Sequence, residues 1–377
     1  MNFLEHVAKT NVLAPAGIPT PVGRACRTPE EAARIVAELG PSIVKAQVPT
    51  GKRGKAGGIK PADTEAEAIQ RATEILALDI DGHPVRELLI ERRGRIVREF
   101  YAAVLNDLDA KRPLVLFSTE GGMDIEEVAA TNPASIRKHH VDLAAGFGEA
   151  DARRMLGDAD LGAQAGEIAS ILARMYSAFT ACDAELLEIN PLALLADDRV
   201  VALDCKLTLD DSSFYRQEKL AALGAAERMT DLERQGAAAG LKFIQLDGNI
   251  GVLANGAGLT MTTMDVIQHL GGRPANFLEI GGEAYTKAET ALGLVLANPG
   301  VKSLVINFCG AFARTDVMAD GVVKAWQKLK PTVPVFFSIH GTGEDEARAL
   351  VRRELGLEPT DFMEDAVAAA ITAARAA

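Results

Sequence analysis

The chain has 377 residues, of which 48% are hydrophobic and 24% are charged, and its formal net charge at pH 7 is −12. This length and composition are typical of a globular protein of two or three domains. The acidic excess argues against a general nucleic-acid binder and against a protein that binds anionic membranes, because both classes need a basic surface.

The N-terminal residues lack the basic and then apolar order of a secretory signal peptide, and no apolar run approaches the length of a membrane span. The four cysteines, Cys26, Cys182, Cys205 and Cys309, lie far apart and form no C-x-x-C pair. We therefore expect neither a metal nor a disulfide framework. Free thiols are typical of a reducing compartment, so we expect a cytoplasmic protein.

The first 240 residues are predicted to form a mixed α/β domain. The spacing of apolar residues predicts helices over 29–40 and 66–78, and mainly helical structure over 143–182. Apolar runs predict strands over 42–48, 87–93 and 98–107, a strand that enters a loop over 112–122, and strands over 185–195 and 199–207. The last two runs are separated by Ala196-Asp197-Asp198, which predicts a hairpin.

The composition changes over residues 208–240, which are polar and rich in alanine, and we place a domain boundary near Gly240. Strands and helices then alternate, which predicts a parallel sheet covered by helices on both faces. Ligands bind such sheets at the carboxyl ends of the strands. These ends are expected at residues 255–258, 281–283, 309–313 and 340–343.

The stretch KAQVPTGKRGKAGGIK, residues 45–60, combines glycines with basic side chains. It is not a P-loop, because Ala56 stands where that motif needs Ser or Thr, and no helix start follows. The glycines let backbone amides approach an anion, and Lys52, Arg53 and Lys55 add positive charge. We predict a flap between two strands that closes over a triphosphate; the alternative is a solvated basic turn.

Three polar side chains interrupt the apolar runs of the predicted hairpin. Glu188 and Asn190 are two apart on one strand, so they share a face. A turn centred near Asp197 places Asp204 close to Asn190 on the other strand. Since Mg²⁺ takes one or two carboxylates in nucleotide chemistry, we predict a magnesium site here. A solvated acidic residue in an edge strand is the alternative for one of the three.

Glu91 and Glu99 lie at the two ends of a predicted turn, in the stretch IERRGRIVRE. Carboxylates at these positions can accept hydrogen bonds from an adenine amino group or from ribose hydroxyls. The alternative is that both are solvated surface glutamates.

Several segments, in the same order along the chain, resemble the β subunit of succinyl-CoA synthetase (succinate–CoA ligase), an ATP-grasp protein. They are MNFLEHVAKT, VKAQ…RGKAGG, STEGGMDIEEVA, LEINPL, LDGNIGVLANGAGLTMTTMD and GGRPANFLEIGG. The resemblance covers nearly the whole chain. It implies an α/β fold with an N-terminal ATP-grasp domain (1–240, its flap subdomain near 23–100) and a flavodoxin-like (Rossmann-like) CoA-ligase domain (241–377).

The resemblance also implies roles for individual residues. It implies phosphate binding by Lys45, Arg53 and Gly54, nucleotide contacts by Glu91, Gly94 and Glu99, and Mg²⁺ ligation by Asn190 and Asp204. Glu188 is implied to be the catalytic residue that contacts a phosphohistidine loop of a partner subunit. The carboxylate substrate is implied to lie against Asn255 and the loop that contains Ala311, Phe312 and Ala313. Pro21 matches members that use ATP rather than GTP.

The activity implied by the resemblance needs ATP, Mg²⁺, CoA and an α subunit. ATP phosphorylates a histidine of the α subunit, the phosphoryl group passes to a carboxylic acid, and CoA displaces it to give a thioester. CoA is expected to lie mainly on the α subunit, so the chain alone is expected to be inactive. Succinate is the default acid, and malate or another short carboxylic acid is the alternative.

Some residues depart from the usual pattern of the resembled family. Lys52 replaces a flap glycine, and Glu283 replaces a glycine of the second domain. Ala311 and Phe312 differ from the usual loop, and Ser338 and His340 replace an arginine and a glutamate. We expect either a changed acid or partner, or drift without a change of substrate.

Two other classes remain open. A stand-alone ATP-grasp ligase would turn over without a partner. A non-catalytic partner that only stabilises an α subunit would tolerate loss of Asp204.

Overall fold

The computed structural model describes residues 1–225, 228–280 and 287–376. The chain divides into two compact units, Met1–Glu227 and Arg228–Ala377. The domain limits inferred from the sequence, 1–240 and 241–377, stay a prediction. None of the described helices is both long and apolar enough to cross a membrane.

The first unit contains two large antiparallel sheets and the helices that cover them. Its strands are β1 (Gly23–Cys26), β2 (Ser42–Ala46), β3 (Ile59–Ala62), β4 (Asp79–Ile80), β5 (His83–Pro84), β6 (Leu88–Arg92), β7 (Ile96–Asp107), β8 (Arg112–Ser118), β9 (Ile136–His140), β10 (Ala184–Leu195), β11 (Val200–Ala202) and β12 (Lys206–Leu209). Its α-helices are α1 (Glu5–Ala8), α2 (Pro29–Leu39), α3 (Glu65–Leu76), α4 (Ile125–Thr131), α5 (Glu149–Leu156), α6 (Ala165–Ala181) and α7 (Glu218–Ala221). A π-helical segment, Lys9–Leu13, extends α1.

The smaller of these sheets has the strand order β1-β6-β2-β3 and carries α2 and α3. Thr28 caps α2 by accepting a hydrogen bond from the Glu31 amide, and the Glu31 side chain returns to the Thr28 amide. This capping box explains why the helix begins at the predicted place. The larger sheet has the order β11-β10-β7-β8-β9, and β12 also pairs with β10.

The glycine- and lysine-rich stretch connects β2 to β3, which pair antiparallel. No helix follows it, so the rejection of a P-loop is confirmed. The backbone of Lys52 (φ 59°) and Gly57 (φ 77°) is left-handed, which turns the chain back between the two strands. Lysine is less suited than glycine to this conformation, so Lys52 holds a position that a glycine would adopt more readily.

The predicted hairpin is confirmed, but its second strand differs from the prediction. Residues 199–207 were expected to form one strand, whereas the structure has β11 and β12 with a break at residues 203–205. Both short strands pair with β10 in one register, in which Asp204 stands opposite Asn190. The break therefore falls at Asp204, opposite Asn190 on β10.

The second unit is built on a parallel sheet of the order β14-β16-β17. Its strands are β13 (Phe243–Gln245), β14 (Ile250–Ala254), β15 (Asn276–Leu278), β16 (Ser303–Gly310) and β17 (Val335–Gly341). Its helices are α8 (Asp231–Ala238), α9 (Ala257–His269), α10 (Ala288–Ala297), α11 (Thr315–Leu329), α12 (Glu344–Leu355) and α13 (Met363–Ala376).

Alternation along β16 explains the helices on both faces of this sheet. Leu304, Ile306 and Phe308 pack into a core with α10, α11 and α12, whereas Val305 packs with α9 and α13. This is the helix-covered parallel sheet that the sequence predicts. One difference is that β13 pairs antiparallel with β15, while single parallel bridges join the β15 region to β14.

One hydrophobic core of the first unit lies between the larger sheet and α6, and a second lies between the smaller sheet and the helices α2 and α3. The first of these contains two aromatic rings. Phe100 on β7 and Phe117 on β8 are fully enclosed there, with ring centroids 5.8 Å apart. These two rings fill part of the core between the larger sheet and α6.

We predict that Phe117→Ala lowers the free energy of unfolding by about 3–5 kcal/mol, because the buried ring leaves a cavity. Urea denaturation measures the change. Leu108→Ala is the control, since Leu108 is 84% exposed, and its effect is expected to stay within about 0.5 kcal/mol. Equal losses in the two variants would contradict this assignment of the core.

Candidate active site

A cavity of about 750 Å³ in the first unit brings most of the predicted site residues together. Its volume lies within the usual range of ligand pockets. The predicted residues that line it are Lys45, Arg53, Gly54, Glu91, Gly94, Glu99, Glu188, Asn190 and Asp204. Pro21, Lys52 and Asp124 also contribute to its wall.

Lys45, on β2, presents its ammonium group at the cavity wall. Its Nζ lies 3.0 Å from Glu5 Oε1 and 2.5 Å from Glu91 Oε2, and it also donates to the carbonyl of Leu203 at 2.5 Å. Burial alone would lower the pKa of Lys45, but Glu5 and Glu91 outweigh burial and raise it. Lys45 therefore stays positively charged although it is buried.

Arg53 is the one buried cation of the flap, whereas Lys52 and Lys55 beside it are exposed. Its guanidinium donates to the carbonyl of Ala46 and lies 2.6 Å from Asp204 Oδ1 and 2.8 Å from Glu5 Oε2. This side chain ties the flap to the hairpin.

Sequence reasoning missed two buried charged residues, Glu5 and Lys9, that lie behind these cations. They are one helical turn apart, with Lys9 Nζ 2.6 Å from Glu5 Oε1 and 2.6 Å from Glu91 Oε1. One signal was available: two opposite charges at i and i+4 in a segment whose neighbours Ala8, Val12 and Leu13 are apolar.

The carboxylate of Glu5 contacts three buried cations, Lys9, Lys45 and Arg53. Burial raises its pKa, but Lys45, Lys9 and Arg53 together lower it well below the ordinary value of a glutamate. It is therefore ionised at neutral pH with only 2% of its surface exposed.

Asn190 and Asp204 form an oxygen-rich pair on the hairpin. Asn190 Oδ1 accepts from the amide of Gly122 at 2.8 Å, and its Nδ2 donates to the carbonyl of Met123. Asp204 uses Oδ1 for Arg53 and for the amide of Cys205, while its Oδ2 makes no hydrogen bond to a described residue.

The side-chain oxygens of Asn190 and Asp204 fit Mg²⁺, a hard cation that binds few protein oxygens and takes its other ligands from phosphates and water. No group of three or more His, Cys, Asp or Glu side chains in the described parts of the chain could hold a metal. A site of one carboxylate and one amide oxygen suits a metal that arrives with a nucleotide better than a resident structural ion.

Glu188, on β10, faces the same cavity as Asn190. Its Oε2 accepts a hydrogen bond of 3.0 Å from the hydroxyl of buried Tyr101. Burial raises the pKa of Glu188, and the hydrogen bond from Tyr101 only partly opposes the rise. A carboxyl with a raised pKa in a cavity is a candidate for proton or phosphoryl chemistry.

The predicted nucleotide contacts differ in availability. Both oxygens of Glu91 are engaged, by Lys9 and by Lys45, so Glu91 orders the cations around it. Glu99 is only partly buried, and its carbonyl accepts from the amide of Gly121. Gly94 lies close to Leu195, and a Cβ at this position would be 2.9 Å from the Leu195 methyl groups, which would have to move.

Lys52, which replaces a glycine in the resembled pattern, reaches across the cavity opening. Its Nζ lies 3.2 Å from Asp124 Oδ2, and its side chain is 70% exposed. The ion pair is solvated and contributes little to stability.

The remaining predicted residues lie on the second unit, at the carboxyl edge of the parallel sheet. Asn255 follows β14, and its side chain accepts from the amide of Cys309 at 2.7 Å and donates to its carbonyl at 2.8 Å. Ala311, Phe312 and Ala313 form the turn after β16, where the Phe312 side chain is fully exposed.

Two departures from the usual pattern also lie on this edge. His340 pairs with Cys309 in the register of β16 and β17, and its Nδ1 lies 3.7 Å from Glu344 Oε1. Ser338 is enclosed, and its hydroxyl makes no hydrogen bond to a described residue. Glu283 and the predicted strand end at 281–283 lie outside the described residues.

Comparison with known proteins adds two family matches. Residues 2–194 match the model of the ATP-grasp domain, and residues 253–373 match that of the CoA-ligase domain. A succinate–CoA ligase [GDP-forming] subunit beta of Thermus thermophilus is 43% identical over 93% of each chain. A succinate–CoA ligase [ADP-forming] subunit beta of Chloroflexus aurantiacus is 42% identical over 100% of this chain and 99% of the relative.

A solved structure supports the fold. ATP citrate lyase from Methanothrix soehngenii, in complex with citrate and coenzyme A, superposes with a TM-score of 0.76 over 98% of this chain and 99% of that chain. The sequences are 23% identical, so this similarity bears on the fold alone.

We predict that Glu188→Gln raises the free energy of unfolding near pH 7.5. Folding raises the pKa of Glu188 and therefore disfavours its charged form. The resulting loss of stability is present above the folded-state pKa and disappears as pH falls towards the unfolded-state pKa. The stabilisation should therefore shrink at about pH 4. Denaturation at the two pH values measures it.

Glu185→Gln is the matched control, because Glu185 is exposed on the same strand. Its effect is expected to stay within about 0.5 kcal/mol at both pH values. A Glu188→Gln variant that is less stable near pH 7.5 than at about pH 4, relative to wild type, would refute the raised pKa.

Proposed function

Since the chain belongs to the family of succinate–CoA ligase β subunits, we propose that it is the nucleotide-binding subunit of an acid–CoA ligase. With a partner subunit it would form acyl-CoA, ADP and phosphate from a carboxylic acid, CoA and ATP. The observation that carries this proposal is one cavity with two buried cations on one wall and an oxygen-rich hairpin on another.

Lys45 and Arg53 are proposed to bind the nucleotide phosphates. Both side chains remain charged and face a cavity of suitable volume, and Gly54 leaves the flap backbone open beside them. Fixed cations stabilise the negative charge that shifts between phosphate oxygens during phosphoryl transfer. Gly94 and Glu99 are proposed to contact the nucleotide, while Glu91 holds Lys45.

We propose ATP rather than GTP as the nucleotide. Pro21, the residue that matches ATP-using members, lines the cavity. The relatives include one named as GDP-forming and one named as ADP-forming at nearly equal identity, so identity alone favours neither nucleotide.

Asn190 and Asp204 are proposed to hold Mg²⁺. When bound, the ion would supply positive charge to the phosphate oxygens. Arg53 binds Oδ1 of Asp204, and Oδ2 is left for the metal ion. Asp204 can therefore hold the flap and bind the ion at the same time.

The phosphoryl acceptor is proposed to be a histidine of the partner subunit. This proposal is supported by the family, whose members are named as the β subunit of a two-subunit ligase. Glu188 is the proposed catalytic residue for that histidine, because a carboxylate can orient an imidazole and stabilise its positive charge. Most of the CoA site is proposed to lie on the same partner.

The acid is proposed to be succinate, the substrate in the names of the relatives. Asn255 and the turn of Ala311, Phe312 and Ala313 are proposed to bind it. Support comes from their position at the carboxyl edge of a parallel sheet, where ligands of such sheets bind.

The domain limits at residue 240 and a cytoplasmic location are also proposals. The location is supported by four free thiols, three of them buried. A reducing compartment is where such cysteines persist.

The decisive experiment is co-expression with the α-like partner, followed by an assay of ADP release coupled to acyl-CoA formation. We expect activity with succinate in the assembled complex and none in the chain alone. A panel with malate and other short carboxylic acids tests the substrate. Turnover by the chain alone would favour a stand-alone ligase.

We predict that Asp204→Asn lowers kcat of the complex by at least about 100-fold. A neutral amide binds a cation less well than a carboxylate does, and a bound cation stabilises the developing negative charge by several kcal/mol. Asp198→Asn, in the exposed hairpin turn, is the control and should retain full activity. Unchanged activity of the Asp204 variant would favour a non-catalytic partner.

A further inference from the structure

Five buried charged side chains, called here the charge cluster, lie at one wall of the cavity: Glu5, Lys9, Lys45, Arg53 and Glu91. Three of them line the cavity, whereas Glu5 and Lys9 lie behind the wall. The proposed function gives Lys45 and Arg53 a role but leaves the two residues behind them without one.

The two oxygens of Glu5 divide the cations between them. Oε1 lies 2.6 Å from Lys9 Nζ and 3.0 Å from Lys45 Nζ, and Oε2 lies 2.8 Å from Arg53. Gln47, itself 3% exposed, also points its Nε2 to Oε2. One carboxylate from α1 thus contacts a cation of β2 and a cation of the flap.

We propose that Glu5 is a positioning residue for nucleotide binding, which holds the Lys45 ammonium and the Arg53 guanidinium at fixed points of the cavity wall, with Lys9 as its balancing cation. This inference rests on the proposed function, in which the cavity binds the phosphates of ATP.

Fixed positions matter because both cations are long and mobile side chains when free. Ordering such a side chain costs conformational entropy, and here this cost is met during folding rather than during binding. Arg53 also stands in an irregular loop, where regular structure does not hold it. Glu5 holds it from outside the cavity, in addition to the Ala46 carbonyl and Asp204.

Lys9 balances the charge behind the wall. The charge cluster contains three cations and two carboxylates, and the carboxylate of Asp204 pairs with Arg53 from the hairpin. Without Lys9 the three carboxylates would outnumber Lys45 and Arg53. Phosphates would then meet a wall of net negative charge.

Glu5→Gln separates positioning from simple charge. If Glu5 acted only through its charge, removing a carboxylate near the phosphates would strengthen ATP binding. If Glu5 positions Lys45 and Arg53, the same change weakens ATP binding. The sign of the change therefore distinguishes the two roles.

The test uses the full chain, co-expressed with its partner, and measures displacement of a fluorescent ATP analogue by ATP and by adenosine in the presence of Mg²⁺. Adenosine has no phosphates, so a general loosening of the cavity would weaken both ligands, whereas lost positioning weakens ATP alone. Circular dichroism establishes that each variant is folded.

We expect Glu5→Gln and Lys9→Met to weaken ATP binding by at least about tenfold, the effect of one lost charged hydrogen bond, and adenosine binding by less than about twofold. Glu149→Gln is the matched control: Glu149 forms an i,i+4 pair with Arg153, but at the surface. It should bind both ligands as the wild type does.

Unchanged or tighter ATP binding by Glu5→Gln would overturn the inference, as would equal weakening of ATP and adenosine. If Glu5→Gln does not fold, Lys9→Met decides by the same criteria. Failure of both variants to fold would assign the charge cluster to stability and overturn the inference. Wild-type protein that ATP does not displace from the analogue would instead refute the proposed function itself.

Discussion

The ion pairs of the Glu5 carboxylate connect the parts of the first unit that surround the cavity. Through Lys45 they reach β2, through Arg53 the flap, and through Lys9 the carboxylate of Glu91 on β6. Removing one partner from such a buried network leaves an uncompensated charge and costs about 3–5 kcal/mol. The cluster therefore constrains where the flap can lie, and the shape of the cavity follows from that constraint.

The hairpin meets the charge cluster at residues 203–204, where the Leu203 carbonyl accepts from Lys9 and Lys45 and the Asp204 carboxylate pairs with Arg53. Both residues lie at the break between β11 and β12. The same break faces Asn190 on β10, so the proposed metal site lies where the second strand is interrupted. Regular pairing with β10 on both sides of the break keeps Asn190 and Asp204 opposite each other.

The second unit follows a different physical logic. Its sheet is parallel and covered on both faces, so the carboxyl edge is where side chains can reach a ligand. Asn255 rigidifies that edge by bonding both backbone groups of Cys309, while Phe312 next to it is fully exposed.

Much of this organisation could be predicted from local patterns: the capped helix at residues 29–39, the flap between two strands, the hairpin register, and the alternation of strands and helices in the second unit. Periodicity, turn residues and motif order determine such features, because they depend on neighbours along the chain. The predicted strand over 199–207 was wrong at its centre: β11 and β12 both pair with β10, but residues 203–205 between them do not belong to a strand.

The charge cluster could not be predicted in the same way. Glu5, Lys45 and Glu91 are separated by 40 and 46 residues along the chain, and they meet only because the folded chain brings α1, β2 and β6 together. The sequence by itself determined the element types, the family and the residue types that chemistry needs. Only the tertiary structure decided which charges share a partner, because burial and ion pairing act through space between segments that no local pattern connects.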